Sequence, residues 1–421
     1  MRFRFISSLL LFGLFAPGVP HGWSQSLADA ESEITTANAP VETMLYSFAE
    51  DANGAYPVSR VVMGSNGRLY GTTSLAGIAG GTAFEMTRSQ SGAWTITAVH
   101  DFDVNSEGGY PQAGLVFDRA GHLYGTTSLG GNSFDAGTIF EWFYESGAWQ
   151  LKVIHRFGVG HDGQNPAGDL TIDAAGNLYG TTPLGGAFGQ GTVFELTRSS
   201  GGEWTEHILH HFRGNHDGGG PEGSLVFDSA GNLYGATYQG GGATPCPGGC
   251  GTVFKLSPTA SGKWIETVLY RFQGTTDGSA PRGPLVVDHD GTLYGATNFG
   301  GVPSCSGNCG TVFKIDPDGR ETVLHNFSQA QTDGNYPLAG LVLGPGHDLY
   351  GTTYAGGSFG LGTVFRISKH GKFTLLHSFH GYPQDGAQPE APVSFDRMGN
   401  AYGTTFSGGA GATGTVFAIT Q

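Results

Sequence analysis

The sequence predicts an all-β fold, a seven-bladed β-propeller with four antiparallel strands per blade. Three observations carry this. The tripeptide Leu-Tyr-Gly recurs at 69–71, 123–125, 178–180, 233–235, 293–295 and 349–351, and as Ala-Tyr-Gly at 401–403, with tyrosines 52 to 60 residues apart. Such a fixed period marks units that bury their apolar faces only by stacking on one another. Each unit holds four short β-type runs bounded by turn residues, with no helical periodicity between them. Finally, the fourth run occurs seven times but its first copy is displaced: residues 42–48 match residues 321–327 yet precede the first unit.

Residues 167–212 serve as the template unit. Residues 168–173 alternate in polarity and form strand A. Ala174-Ala175-Gly176-Asn177 is a turn, because Gly and Asn tolerate positive φ. Residues 178–182, rich in β-branched and aromatic side chains, form strand B. A Gly-rich loop leads to strand C at 192–197, and a second turn to strand D at 206–212. Four such strands repeated radially make a propeller blade. The chain stops just after the last strand C, so residues 42–48 are expected to supply the missing strand D of the last blade. That pairing closes the ring and hides two sheet edges.

The glycine after each tyrosine would weaken a strand unless something bulky must approach it. All seven copies carry it. The expectation is that a Tyr or Phe ring of a neighbouring blade lies over the gap.

Composition sets bounds. The 421 residues include 74 glycines and 13% charged residues, and the formal net charge is −15. An acidic surface repels phosphate backbones and anionic lipid, which excludes nucleic acid as a partner. Arg2 and Arg4, followed by the mainly apolar residues 5–15 and by Gly22 and Ser24, read as an export signal over residues 1–24. Residues 25–40 read as a flexible linker and residues 41–421 as one propeller domain. The apolar run is too short to span a membrane. The mature chain is expected to be secreted or periplasmic, monomeric and without a transmembrane anchor.

Cys246-Pro247-Gly248-Gly249-Cys250 and Cys305-Ser306-Gly307-Asn308-Cys309 occupy the same B–C loop of adjacent units. In an exported protein disulfides are the default, with Cys246–Cys250 and Cys305–Cys309 the most economical of three pairings. The alternative is a four-thiolate zinc site shared by the two loops.

In a four-strand meander the B–C loops and D–A connections share one face. They are long, Gly-rich and variable, whereas the turns of the other face are stereotyped. Binding is expected on the B–C/D–A face, around the central channel. Every D–A connection there reads acid or amide, Gly, two residues, Pro, starting at Asn53, Glu107, Asp162, Asp217, Asp277, Asp333 and Asp385. Such a ring could hold Ca²⁺ through oxygen ligands, or bind a ligand. The plainer reading is turn formation, with Pro fixing the entry to the next strand. No cofactor is otherwise expected.

The strand D histidines His100, His155, His210, His325 and His377 alternate with Tyr46 and Tyr270 at the same position. That exchange suits packing between blades, not a general base. Asp118, Asp173, Asp228, Asp288 and Asp396 read as turn formers at the ends of the A strands. Trp94, Trp149, Trp204 and Trp264 read as blade-edge packing. No nucleophile elbow, zinc-protease motif or phosphate loop is present.

The unit Gly-Asn-Leu-Tyr-Gly-Thr-Thr … Gly-Gly … Gly-Thr-Val-Phe, clear at 176–194, resembles the GloVer (Gloeobacter/Verrucomicrobia-type) tandem repeat of exported bacterial proteins. The resemblance covers about residues 41–421. It implies propeller-like repeats with a Gly-rich extension, and it brings no reaction and no functional residues. Members often carry a carboxyl-terminal surface anchor, and none is expected here. The function expected from these readings is non-catalytic binding of a glycan or exported protein on the B–C/D–A face. Its rivals are a propeller enzyme acting on polysaccharide, a lyase or glycoside hydrolase, and a structural component of the cell envelope.

Overall fold

Each Leu-Tyr-Gly run is the second strand of a four-stranded antiparallel sheet, and seven such sheets form a closed ring. The computed structural model describes residues 40–49, 51–75, 80–242, 245–302, 305 and 309–420. The expected export signal and all but the last residue of the expected linker lie outside them. Blade 1 comprises Val62–Met63, Leu69–Thr73, Thr82–Arg88 and Trp94–Asp101. Blade 2 comprises Val116–Phe117, Leu123–Thr127, Thr138–Glu145 and Ala148–Arg156, and blade 3 Thr171–Ile172, Leu178–Thr182, Thr192–Arg198 and Trp204–His211. Blades 4, 5 and 6 repeat the order, with B strands at Leu233–Thr237, Leu293–Thr297 and Leu349–Thr353 and D strands at Trp264–Arg271, Glu321–Asn326 and Phe373–Ser378. Blade 7 has Ser394–Phe395, Ala401–Thr405 and Thr415–Thr420, and its fourth strand is Val41–Ser47. The closing strand runs antiparallel to the last one, from Val41 opposite Thr420 to Ser47 opposite Thr415. The ring therefore closes as the sequence predicts.

Strand B of the template is observed at its expected bounds, whereas its strand A shrinks to Thr171–Ile172. The residues before each A strand turn instead toward the central channel. One pairing escaped the sequence: each D–A connection also bridges the segment after its blade's strand B. Gly163–Gln164 pairs with Leu184–Gly185, and equivalent ladders or single bridges recur in the other six blades.

The expectation for the strand B glycine needs correction. The ring over Gly180 is Phe194, its direct cross-strand partner in the same blade. The same holds for Gly71 and Phe84, and in every other blade. The neighbouring blade contributes the next layer. Phe102, at the end of strand D of blade 1, packs on Phe140 of blade 2 with ring centroids 4.9 Å apart. Six equivalent Phe–Phe contacts complete the circle at 5.1–5.5 Å, including Phe48 on Phe84 across the closure. Such pairs each add about 0.5–1.5 kcal/mol beyond the area they bury. The tryptophans act similarly: Trp149 meets Tyr70, Trp204 meets Tyr124 and Trp264 meets Tyr179, each across a seam between blades.

Candidate functional site

The D–A motif builds a rigid rim. Its glycine sits against a buried threonine pair that ends strand B and opens strand C, such as Thr182 and Thr192, whose hydroxyls are 2.8 Å apart. A Cβ on Gly163 would have no room there. Two residues later the chain turns left-handed. Tyr56, Tyr110, Asn165, Gly220, Ala280, Tyr336 and Gln388 all have φ between 55° and 61°. Each precedes a proline, and six carry a Cβ. For L-residues this region is costly, and it persists only where the surroundings over-determine it.

Backbone hydrogen bonds supply that constraint. The N–H of each left-handed residue donates to a carbonyl at the end of the preceding blade's B–C loop, at 2.7–3.1 Å. Tyr110 donates to Gly80, Ala280 to Cys250 and Tyr336 to Cys309. In six blades its carbonyl accepts from the residue after strand B: Ser74, Ser128, Tyr238, Asn298, Tyr354 or Phe406. In blade 3 that residue is Pro183, which has no N–H. The backbone is thus constant around the ring while the side chains it presents vary from blade to blade.

Those variable side chains surround the channel mouth on the B–C/D–A face. Tyr56 packs on Phe406 at 4.9 Å, Tyr336 on Phe299 at 6.0 Å, and Gln388 donates to the Tyr354 hydroxyl at 2.8 Å. Below lies a cavity of about 510 Å³, lined by Tyr110, Gln112, Ser74, Phe406 and residues of every D–A connection. Both of its arginines are paired. Arg60 pairs with Asp169 at 2.6 Å, and Arg282 pairs with Glu222 while its guanidinium stacks on Tyr238 at 5.2 Å. Burial raises the Glu390 carboxyl, and the nearby Arg282 opposes that shift. The opposite face holds a cavity of about 670 Å³ between blades 1 and 2, beside Tyr144 and Trp149.

Each predicted D–A residue finds a partner in the strand D that precedes it in the ring. His100 reaches Glu107 at 2.9 Å, His155 Asp162 at 3.3 Å and His210 Asp217 at 3.5 Å. His325 reaches Asp333 and His377 reaches Asp385, both at 3.0 Å. The Tyr270 hydroxyl donates to Asp277 at 3.0 Å, and Asn53 donates to the Tyr46 hydroxyl at 3.2 Å. This explains the His–Tyr exchange: both offer a ring for packing and a polar tip for the connection. The carboxylates also accept backbone N–H groups of their own turns, as Asp385 does from His380 and Gly386. In six blades a bulge immediately before the His or Tyr, at Leu209 for example, aims the ring.

Sequence reasoning missed a second set of acids. Glu206, on strand D of blade 3, comes to Asp162 and lies 3.8 Å from His155 of blade 2. Burial, then Asp162, pushes its carboxyl up to about 9. Glu42, Glu266 and Glu321 occupy the same position beside Asp385, Asp217 and Asp277, and burial first pushes each up to about 7. The available signal was a glutamate six residues before the strand D phenylalanine in four of seven units.

The A-strand aspartates behave as turn formers. Asp118 accepts from the N–H groups of Ala120 and His122. Disulfides join Cys246 to Cys250 and Cys305 to Cys309. Each closes its own loop, which removes the thiolates that a shared zinc site would need. Among the described residues no helix is long and apolar enough to cross a membrane.

The Gloeobacter/Verrucomicrobia repeat model matches residues 32–149, 80–261 and 242–421. No curated protein matches the chain significantly. Among solved structures the chain is similar to a candidate 6-phosphogluconolactonase of Bacteroides uniformis, at 15% identity and a TM-score of 0.51, over 80% of this chain and 88% of the other. It is also similar to the periplasmic gluconolactonase of Pseudomonas aeruginosa, at 14% identity and a TM-score of 0.46, over 82% and 93%. At 15% identity the likeness to the first is one of fold.

Proposed function

The chain belongs to the Gloeobacter/Verrucomicrobia repeat family, and from that premise we propose that it is an exported, non-catalytic propeller that binds a glycan at its B–C/D–A channel mouth. One observation carries the reading. A constant, strained backbone ring presents a variable set of side chains, as a recognition surface on a rigid scaffold does. The chemistry of that set suits sugars. Tyr56, Tyr110, Tyr336 and Phe406 offer apolar ring faces, and the Asn165 and Gln388 amides are held in place by bonds to Ser128, Tyr354 and Ser407 that leave each of them further donor and acceptor capacity. An exported protein is the other partner class the rim could serve. Two loop disulfides support an oxidising compartment outside the cytoplasm. A glycan array, run alongside turnover assays on the same polysaccharides, tests the proposal. Saturable binding without turnover is expected, and turnover abolished by one carboxylate change overturns it.

One observation favours an enzyme as the second reading. Glu222 and Glu390 flank Arg282 in the channel, and Glu390 is held toward its neutral form, as a general acid would be. Glu390→Gln would then abolish turnover while leaving binding intact.

A further inference from the structure

Two seams between blades bring together an imidazole and two carboxylates from different repeats. At the seam between blades 2 and 3 these are His155, Asp162 and Glu206, and at the seam between blades 6 and 7 they are His377, Asp385 and Glu42. In each set the three ligand-type atoms lie within 4.8 Å of one another. We propose that each seam binds one divalent first-row transition-metal ion, which joins strand D of one blade to strand D of the next.

The donor set is the first reason. One nitrogen and two carboxylate oxygens suit zinc-like ions better than Ca²⁺, for which imidazole is a poor ligand. Burial is the second. The Asp385 side chain is fully buried and that of Asp162 is 7% exposed. Unsatisfied atoms are the third. Glu206 Oε1 and Glu42 Oε1 are closed off from solvent with no hydrogen-bond partner, and the equally enclosed His155 Nε2 has only ion-pair contacts, to Asp162 at 3.3 Å and Glu206 at 3.8 Å, without hydrogen-bond geometry. Buried polar atoms are rarely left so, and a cation in each seam would take the lone pairs of those it faces, Glu206 and His155 in one and Glu42 in the other.

The other seams act as internal controls. In the seam between blades 5 and 6, Phe373 takes the glutamate's place and stacks on His325 at 4.0 Å. Leu151 and Ile96 take it in blades 2 and 1. The seam between blades 4 and 5 keeps both acids, Asp277 and Glu321, but has Tyr270 in place of the imidazole. His210, Asp217 and Glu266 have the right types at the seam between blades 3 and 4 but do not converge as closely. The second site has a structural consequence. Glu42 lies on the closing strand Val41–Ser47, so an ion there would pin the ring shut.

The test uses the untagged full chain, stripped with chelator and titrated with Zn²⁺, with bound metal measured by mass spectrometry. Two ions per chain are expected. Glu206→Leu and Glu42→Ile, which copy residues the protein uses at its own equivalent positions, should each remove one. His155→Tyr and His377→Tyr keep the ring packing and should do the same. Each should weaken its site by at least the roughly 10–100-fold that loss of an outer-shell partner costs. Glu321→Leu should leave the count at two. Zn²⁺ should raise the melting midpoint, by less in Glu42→Ile. A count unchanged by these substitutions, or Ca²⁺ binding as tightly as Zn²⁺, overturns the proposal. So does an absence of retained zinc, in which case Glu206 and Asp162 share a proton instead.

Discussion

The ring of Phe194 lies directly over Gly180, its partner across strands B and C of blade 3, and a Cβ there would come within 2.5 Å of the ring tip. Phe194 is fully buried and also carries Phe157 of the blade before it at 5.3 Å. The ring cannot yield without disturbing the seam. Gly180→Ala should therefore destabilise the protein by about 1–3 kcal/mol, the usual cost of overpacking. Denaturant melts of the variant check this, and an unchanged midpoint would show that the ring moves freely.

Closure rests on the pairing of Val41–Ser47 with Thr415–Thr420, and on Phe48 packed against Phe84 at 5.5 Å. Deleting residues 41–48 exposes a central strand as an edge and uncovers that seam. The expected outcome is aggregation or a broad, non-cooperative melt. A truncated protein that melts like its parent would separate ring closure from stability.

Strain at the rim can be relieved at one position without touching the proposed ligand surface. Ala280 has φ of 57° and is 6% exposed, and Gly220 fills the equivalent place in blade 4. Ala280→Gly should stabilise the fold by about 1 kcal/mol, the left-handed penalty less glycine's entropy. Calorimetry would detect the shift, and a loss of stability would mean that the Ala280 methyl packs better than the strain costs.

Glu321 gives the fold a pH dependence of defined sign. Burial, and then the Asp277 carboxylate that Tyr270 also contacts, raises its pKa from 4.5 to about 7. Between those values the folded protein holds a proton that the unfolded chain has released. Stability from this group is therefore full below about pH 4.5 and is lost as pH rises through 7. Glu321→Gln should remove that slope and gain on the parent most at pH 8. Melting midpoints across pH 4–9 would show it, and parallel curves would place the ionised form at no disadvantage.

The fold was legible because the repeat speaks seven times. Strand B was read to the residue, and residues 42–48 matched strand D strongly enough to reveal the closure. The ladder at Gly163–Gln164 was not legible, because Gly and Gln carry no strand signature. The partner of Gly180 was assigned to the wrong blade, since periodicity gives spacing and only register gives the residue opposite. The rim was legible as a face but not as a strained ring: Tyr110 and Tyr336 before proline do not advertise positive φ. Glu206 and Asp162 belong to different repeats, and a single-unit template hides contacts that cross a seam.

The central claim is that the B–C/D–A mouth is where the protein binds. The most direct measurement is calorimetric titration of the best array glycan against two single variants. Tyr110→Ala removes a ring from the mouth, and Tyr144→Ala removes a side chain 62% exposed beside the cavity on the opposite face. The account predicts at least about a tenfold loss of affinity for Tyr110→Ala, equivalent to about 1.4 kcal/mol, and none for Tyr144→Ala. The reverse pattern would place binding on the other face and contradict it.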